Sequence, residues 1–247
     1  MSTLWFVDTP DPAAVLGNAE SPDGDAALAV AQRLHPNMDL APTGVVPLSQ
    51  AAGVTDDVLY VGAFPGLVVV CHKDLTPTTP TTTPWRSAID SATTYLVASR
   101  PEDAWGAFAV WEGDTLRRSF SAAPATILED SGIPLVWERP YWAGEFPLQH
   151  PPGALPDPQS LPFHPQQFAE AANREWLGFR YTGARSEGEL NPTSIGLLGF
   201  TVHPPGQAPR PNPPTTDASA ARDSAAAAPA TGAVKRTFLD RIRRKTR

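Results

Sequence analysis

Cysteine is almost absent. One residue, Cys71, in 247 excludes an intrachain disulfide and a Cys-rich zinc framework. The five histidines (35, 72, 150, 164 and 203) show no two-ligand spacing such as HxxxH, which argues against zinc. No GxxxxGK[ST], GxGxxG or GxSxG run occurs, so phosphate-loop, dinucleotide and nucleophile-elbow sites are not expected, and no cofactor is implied. The longest apolar run, "AFPGLVVVC" at 63–71, falls far short of the ~20 residues that span a bilayer. The opening "MSTLWFVDTP" has no basic n-region, and its apolar run is too short for a signal peptide. The expected compartment is the cytoplasm.

Proline and acid are abundant instead. The 29 prolines are about 12% of the chain, against ordinary usage of about 5%, which disfavours long uninterrupted elements. Charge is divided. Residues 1–203 hold 10 Lys/Arg and 23 Asp/Glu, a net −13; residues 204–247 hold 9 and 3, a net +6. Phosphate binding needs positive charge, so nucleic acid is not an expected partner of the acidic body.

Periodicity and punctuation predict the elements. "STLWFVD" at 2–8 reads as a strand. Asp11, Pro12 and Gly17 mark a short helix, with Asp11 as N-cap. Ala27, Val30, Ala31 and Leu34 recur at helical spacing behind Asp23 and Asp25. "GVVPLS" is a further short extended run. "DVLYVGAFPGLVVVC" is two central strands joined by a type II turn at Pro65-Gly66. "TPTTPTTTP" at 76–84 reads as an extended spacer, and its threonines as a phosphorylation hypothesis. "TTYLVAS" is a strand. A hairpin follows around Glu112-Gly113-Asp114, with Trp105, Ala107, Ala109 and Trp111 on one face. Residues 122–163 read mostly as loop, with short extended pieces. Pro165 opens a helix that lines up Phe168, Ala171, Ala172, Trp176 and Phe179, and "SIGLLGFTV" is a last strand. The expected fold is α+β: one domain over 1–203, with a mixed, largely antiparallel sheet and two main helices. A Pro/Ala-rich linker without large apolar residues, expected to be disordered, covers 204–233, and a basic amphipathic segment covers 234–247.

"FPG" at 64–66, "VVVC" at 68–71, "FAVWEGDTLRRSFS" at 108–121, "PYWAGE" at 140–145 and "LPFHP" at 161–165 occur in an order that resembles an actinobacterial family of uncharacterised cytoplasmic proteins. The resemblance covers roughly residues 2–202. It implies no activity, cofactor or catalytic residue.

Candidate chemistry concentrates in two loops. In "RPYWAGEFPL", Tyr141 and Trp142 each pair an apolar face with a polar handle, and Glu145 is an acceptor. In "LPFHP", Phe163 and His164 stand before the late helix, where a histidine is easily tuned for acid–base work. These five residues are the ligand-binding candidates. The competing reading is a buried turn whose aromatics cover the core. Cys71 and His72 are adjacent strand residues that point to opposite faces, so they form no pair. The paired acids Asp56-Asp57 and Glu129-Asp130 read as solvated turns. At the end of the chain Lys235, Arg236, Phe238, Arg241, Ile242, Arg243, Arg244, Lys245 and Arg247 are candidates for an anionic partner or the inner membrane surface. Three function classes remain open. The first is a cytoplasmic binding module for a small molecule or protein; the second is a hydrolase using His164 and Glu145. The third is a peripheral membrane protein recruited by the basic segment.

Overall fold

The structure is a computed structural model that describes residues 1–19, 21–53, 55–148 and 158–206. The first helices form where their caps predict. After β1 (Ser2–Val7), α1 (Pro12–Asn18) begins where Asp11 Oδ1 accepts the Ala14 amide at 2.9 Å. α2 (Gly24–Leu34) begins where Asp23 accepts the Asp25 and Ala26 amides, both at 3.0 Å. Each cap satisfies amides that the first helical turn leaves without partners. Ala27, Val30, Ala31 and Leu34 are the buried face of α2.

β2 (Asp39–Pro47) and α3 (Leu48–Ala51) follow. β3 (Val58–Phe64) and β4 (Leu67–Cys71) then form a hairpin whose last pair is Phe64↔Leu67. Gly66 sits in its turn at φ 65°, a conformation side chains resist. β5 (Thr93–Arg100), β6 (Trp105–Glu112), β7 (Thr115–Ala123) and β8 (Thr126–Gly132) form a meander. α4 (Arg139–Trp142), α5 (Pro165–Leu177) and β9 (Gly196–His203) complete the described elements.

The nine strands form one sheet in the order β2-β9-β3-β4-β1-β5-β6-β7-β8. Every neighbouring pair is antiparallel, so the expected mixed sheet is corrected to an antiparallel one. The reason is connectivity. Tight turns join β3 to β4 and β5 through β8 in series, and a tight turn permits only antiparallel pairing. The β1–α1–α2 start does not return to a parallel neighbour; it leads to β2 at the far edge.

Helices cover both faces. On one, α2 packs over Leu4, Phe6, Val61, Val70 and Leu96. On the other, Trp5, Val69, Cys71 and Leu197 meet Leu16 of α1, α3, and Leu177 and Phe179 at the end of α5. α5 also roofs a third cluster around Phe108, Phe120, Phe163 and Phe168. α2 and α5, the two expected main helices, therefore lie on opposite faces.

One expectation changes. The Thr/Pro stretch is not an extended spacer. It makes a 3₁₀ turn at Pro80–Thr82, buries Pro80 and Thr83, and ties Thr81 to Glu129 of β8 through both its amide and its hydroxyl. The stretch 122–163, read as mostly loop with short extended pieces, holds one full strand, β8, of seven residues. As an edge strand with exposed polar positions, β8 lacks the buried alternation that announces strands. No helix among the described residues is long and apolar enough to cross a membrane. Residues 207–247 lie outside the described residues, and with them most of the 204–233 linker and the whole basic segment 234–247.

Candidate functional site

α5 starts at Pro165, whose missing amide suits the first helical position, and stops at Gly178 in the left-handed conformation (φ 80°). Between these ends its apolar stripe turns Phe168 and Ala172 into the third cluster and leaves Trp176 a turn further on, over β5. There Trp176 lies flat against Tyr95, with centroids 4.6 Å apart and planes 10° apart. Trp137, from the 3₁₀ turn Val136–Glu138, meets Trp176 edge to face at 6.0 Å and is backed by Phe108 and Phe168.

Tyr95, Trp137 and Trp176 line an open groove of about 550 Å³, to which Pro10 and Pro12, before and at the start of α1, also contribute. That volume suits a small ligand. More of the exposed lining is polar than apolar; its side-chain polar groups include the hydroxyls of Thr9 and Thr93, the Tyr95 phenol and the exposed Glu175 carboxylate. Burial, and secondarily the charge of Glu112, push the Tyr95 phenol up, so it stays protonated. A second cavity of about 460 Å³, beside Phe64 and Pro65, has no charged side chain and no tryptophan in its lining.

A buried ion pair holds the Trp137 wall. Arg118 of β7 and Glu138 are both fully buried. Arg118 Nε and Nη2 donate to the two Glu138 oxygens, each at 2.9 Å. The same carboxylate accepts the Leu135 amide (2.9 Å) and the Trp142 indole N–H (3.2 Å). Four donors thus fix the segment on which Leu135 and Trp137 reach the groove. Arg118 also pairs with Asp130 and donates to the carbonyls of Ser119 and Ser131. Burial opposes the guanidinium's charge, but its bonds to Glu138 and Asp130 outweigh burial and hold its pKa above the usual value.

The five ligand-binding candidates take other positions. Tyr141 and Trp142 pack onto the third cluster: Tyr141 against Phe146 and Phe168, Trp142 edge-on to Phe163 and Phe168. Phe163 is fully buried, so its ring has no surface to offer a ligand. In "RPYWAGEFPL" Tyr141 and Trp142 are half-buried against the third cluster while residues 143–147 stay exposed, and the acid that takes the Trp142 indole N–H is Glu138. Glu145 is exposed, and only its backbone amide is engaged, by Pro140. His164 occupies the N-cap of α5 without a side-chain capping bond; its Nδ1 is buried and unpartnered, and burial lowers its pKa. No hydrogen bond joins His164 to Glu145, so the structure does not bring them together as an acid–base pair.

Cys71 and His72 do point to opposite faces. Cys71 is buried in the core, and burial pushes its thiol far up. His72 lies with His35 against Trp85, ring centroids 5.2–5.3 Å from the indole. No group of three or more His, Cys, Asp or Glu side chains among the described residues is arranged to hold a metal ion.

The groove residues Tyr95, Trp137 and Glu175 escaped the sequence reading, and Trp176 entered it only as a core position. The one local signal was Glu138, an acid flanked by Trp137 and the "RPYW" aromatics. A family model described as a family of unknown function (DUF6928) matches residues 1–200. No curated protein and no solved structure matches the chain.

Proposed function

We propose, from the premise that the chain belongs to this family of unknown function, that it is a binding module whose ligand enters the groove between β5, the Val136–Glu138 turn and α5. The observation that carries this reading is the flat Tyr95–Trp176 stack beside Trp137, lining about 550 Å³ with a single carboxylate, Glu175, at hand. Such a lining favours a small molecule with an apolar or flat face and a donor or positive charge for Glu175. The hydrolase reading has less support, because His164 and Glu145 share no hydrogen bond.

The test is a thermal-shift screen of the full chain against metabolites, nucleotides and metals. A ligand present at about 100 times its dissociation constant adds about 2.7 kcal/mol of stability. The shift should shrink in Glu175→Ala and vanish in Trp137→Leu. A hit indifferent to both substitutions places the ligand elsewhere and removes the groove from consideration.

The basic segment supports a second proposal. Seven Lys/Arg with Phe238 and Ile242 in residues 234–247 suit an anionic membrane surface, at about 1 kcal/mol per cation near it. Flotation with anionic vesicles at low and high salt tests it; no flotation at low salt ends it.

A further inference from the structure

The sheet ends in two unlike edges. At one, β2 contains Pro42 and Pro47, which lack an N–H, and a bulge between Pro42 and Gly44. Bulges interrupt both edges, so it is the prolines that set β2 apart, because they cannot donate to a further strand. At the other, β8 has neither proline nor lysine. Its two acids are already engaged: Glu129 accepts from the Ser119 hydroxyl and from Thr81, and Asp130 pairs with Arg118. Apolar side chains are exposed around them: Ile127 by 42%, Leu128 by 45%, Ile133 by 84% and Val136 by 92%. These are four of the seven exposed large apolar residues in the described chain.

We propose that β8 is a self-association edge, pairing antiparallel with β8 of a second copy about a twofold axis. Three features favour a second copy as the occupant. A twofold axis across the strands makes an edge antiparallel to itself, which is the relation at every strand pair of this sheet. The bulge in β8 falls at Leu128; from Glu129 to Gly132 the register is unbroken opposite Ser121 to Arg118, and Gly132, at φ 85°, ends the extended run. A twofold through Ser131 continues that run. It sets Asp130 opposite Gly132 of the second copy and leaves Ile133 just past the paired run, so no acid faces an acid. The exposed apolar surface amounts to between two and three full side chains per copy. That places the contact in the small class, below about 1,200 Å² in total, and makes the dimer reversible and concentration-dependent.

The test uses the full chain. Sedimentation from about 1 to about 200 µM should show a monomer–dimer equilibrium, because association follows mass action. Directly opposite residues lie about 4.5–5.5 Å apart between Cα atoms, within disulfide reach. Mild oxidation should therefore cross-link Ser131→Cys, while Val45→Cys on the other edge stays monomeric; the native Cys71 is buried and does not compete. Ile133→Lys should weaken dimerisation at least tenfold with unchanged circular dichroism and melting temperature. A monomer throughout, a dimer indifferent to Ile133→Lys, or equal cross-linking at Val45→Cys overturns the proposal.

Discussion

Single residues carry several of the strongest constraints. Glu138 accepts four hydrogen bonds inside the protein, two of them from a fully buried guanidinium. Glu138→Gln keeps the shape but removes the charge that balances Arg118. Breaking a buried pair by losing one partner costs about 3–5 kcal/mol. Asp130 still faces Arg118, so the expected loss is about 3 kcal/mol, read as a lowered urea midpoint. Groove binding should weaken as well, because Trp137 loses its anchor. A midpoint equal to that of the unaltered protein would mean that the pair does not hold the turn. Trp85 is the other unusual residue. It adopts φ 64°, costly for a bulky side chain, with its ring against His35 and His72.

At the scale of elements, the seating of α5 depends on a glycine. A Cβ at Gly106 of β6 would stand 2.2 Å from the Pro165 carbonyl oxygen, in the first turn of α5. Backbone cannot yield there as a flexible side chain would, so Gly106→Ala should lift the helix from the sheet. Overpacking of this kind typically costs about 1–3 kcal/mol. Tryptophan emission should shift to the red as Trp176 separates from Tyr95. A variant with native melting temperature and emission would show that α5 has room to spare. The Thr/Pro strap is a second element with a role set by contact. Thr81 reaches Glu129, 48 residues away, so a phosphate on Thr81 would stand against a carboxylate instead of donating to it.

For the molecule as a whole, pH is the variable to which the buried groups speak together. His35 is held below its ordinary pKa by burial and then by the neighbouring His72; His72 is held down by burial, with Asp74 opposing. The unfolded chain, with histidines near 6.5, then binds more protons than the folded one just below that value. The contribution of these two histidines is therefore fully present above about pH 6.5 and declines as pH falls from there toward the depressed folded values. Glu189 adds a second loss at lower pH. Its bonds to Arg180 hold its pKa down to about 2, so its contribution fades from the ordinary carboxylate range toward that value. Urea midpoints at pH 7.5 and 5.5 should differ, and His35→Gln with His72→Gln should reduce the difference. An unchanged difference in the double variant would remove these histidines as its source.

What the sequence by itself determined is what short-range physics decides. Asp11 and Asp23 cap their helices, Pro165 opens α5, and Pro65-Gly66 turns the central hairpin. Periodicity marked the buried face of α2 and, of the residues it lined up on α5, Phe168, Ala172 and Phe179 but not the half-buried Ala171 and Trp176; strand alternation separated Cys71 from His72. These features rest on neighbours a few residues apart, which a linear reading contains. Only the tertiary structure decided the strand order, the wholly antiparallel pairing and the groove. Tyr95 meets Trp176 across 81 positions of sequence, and Arg118 meets Glu138 across 20. The aromatics of "RPYWAGEFPL" suit a ligand surface and a core equally well by chemistry alone. The structure leaves Tyr141 and Trp142 half-buried and Phe146 exposed, a degree of burial set by which distant strands and helices close over each side chain.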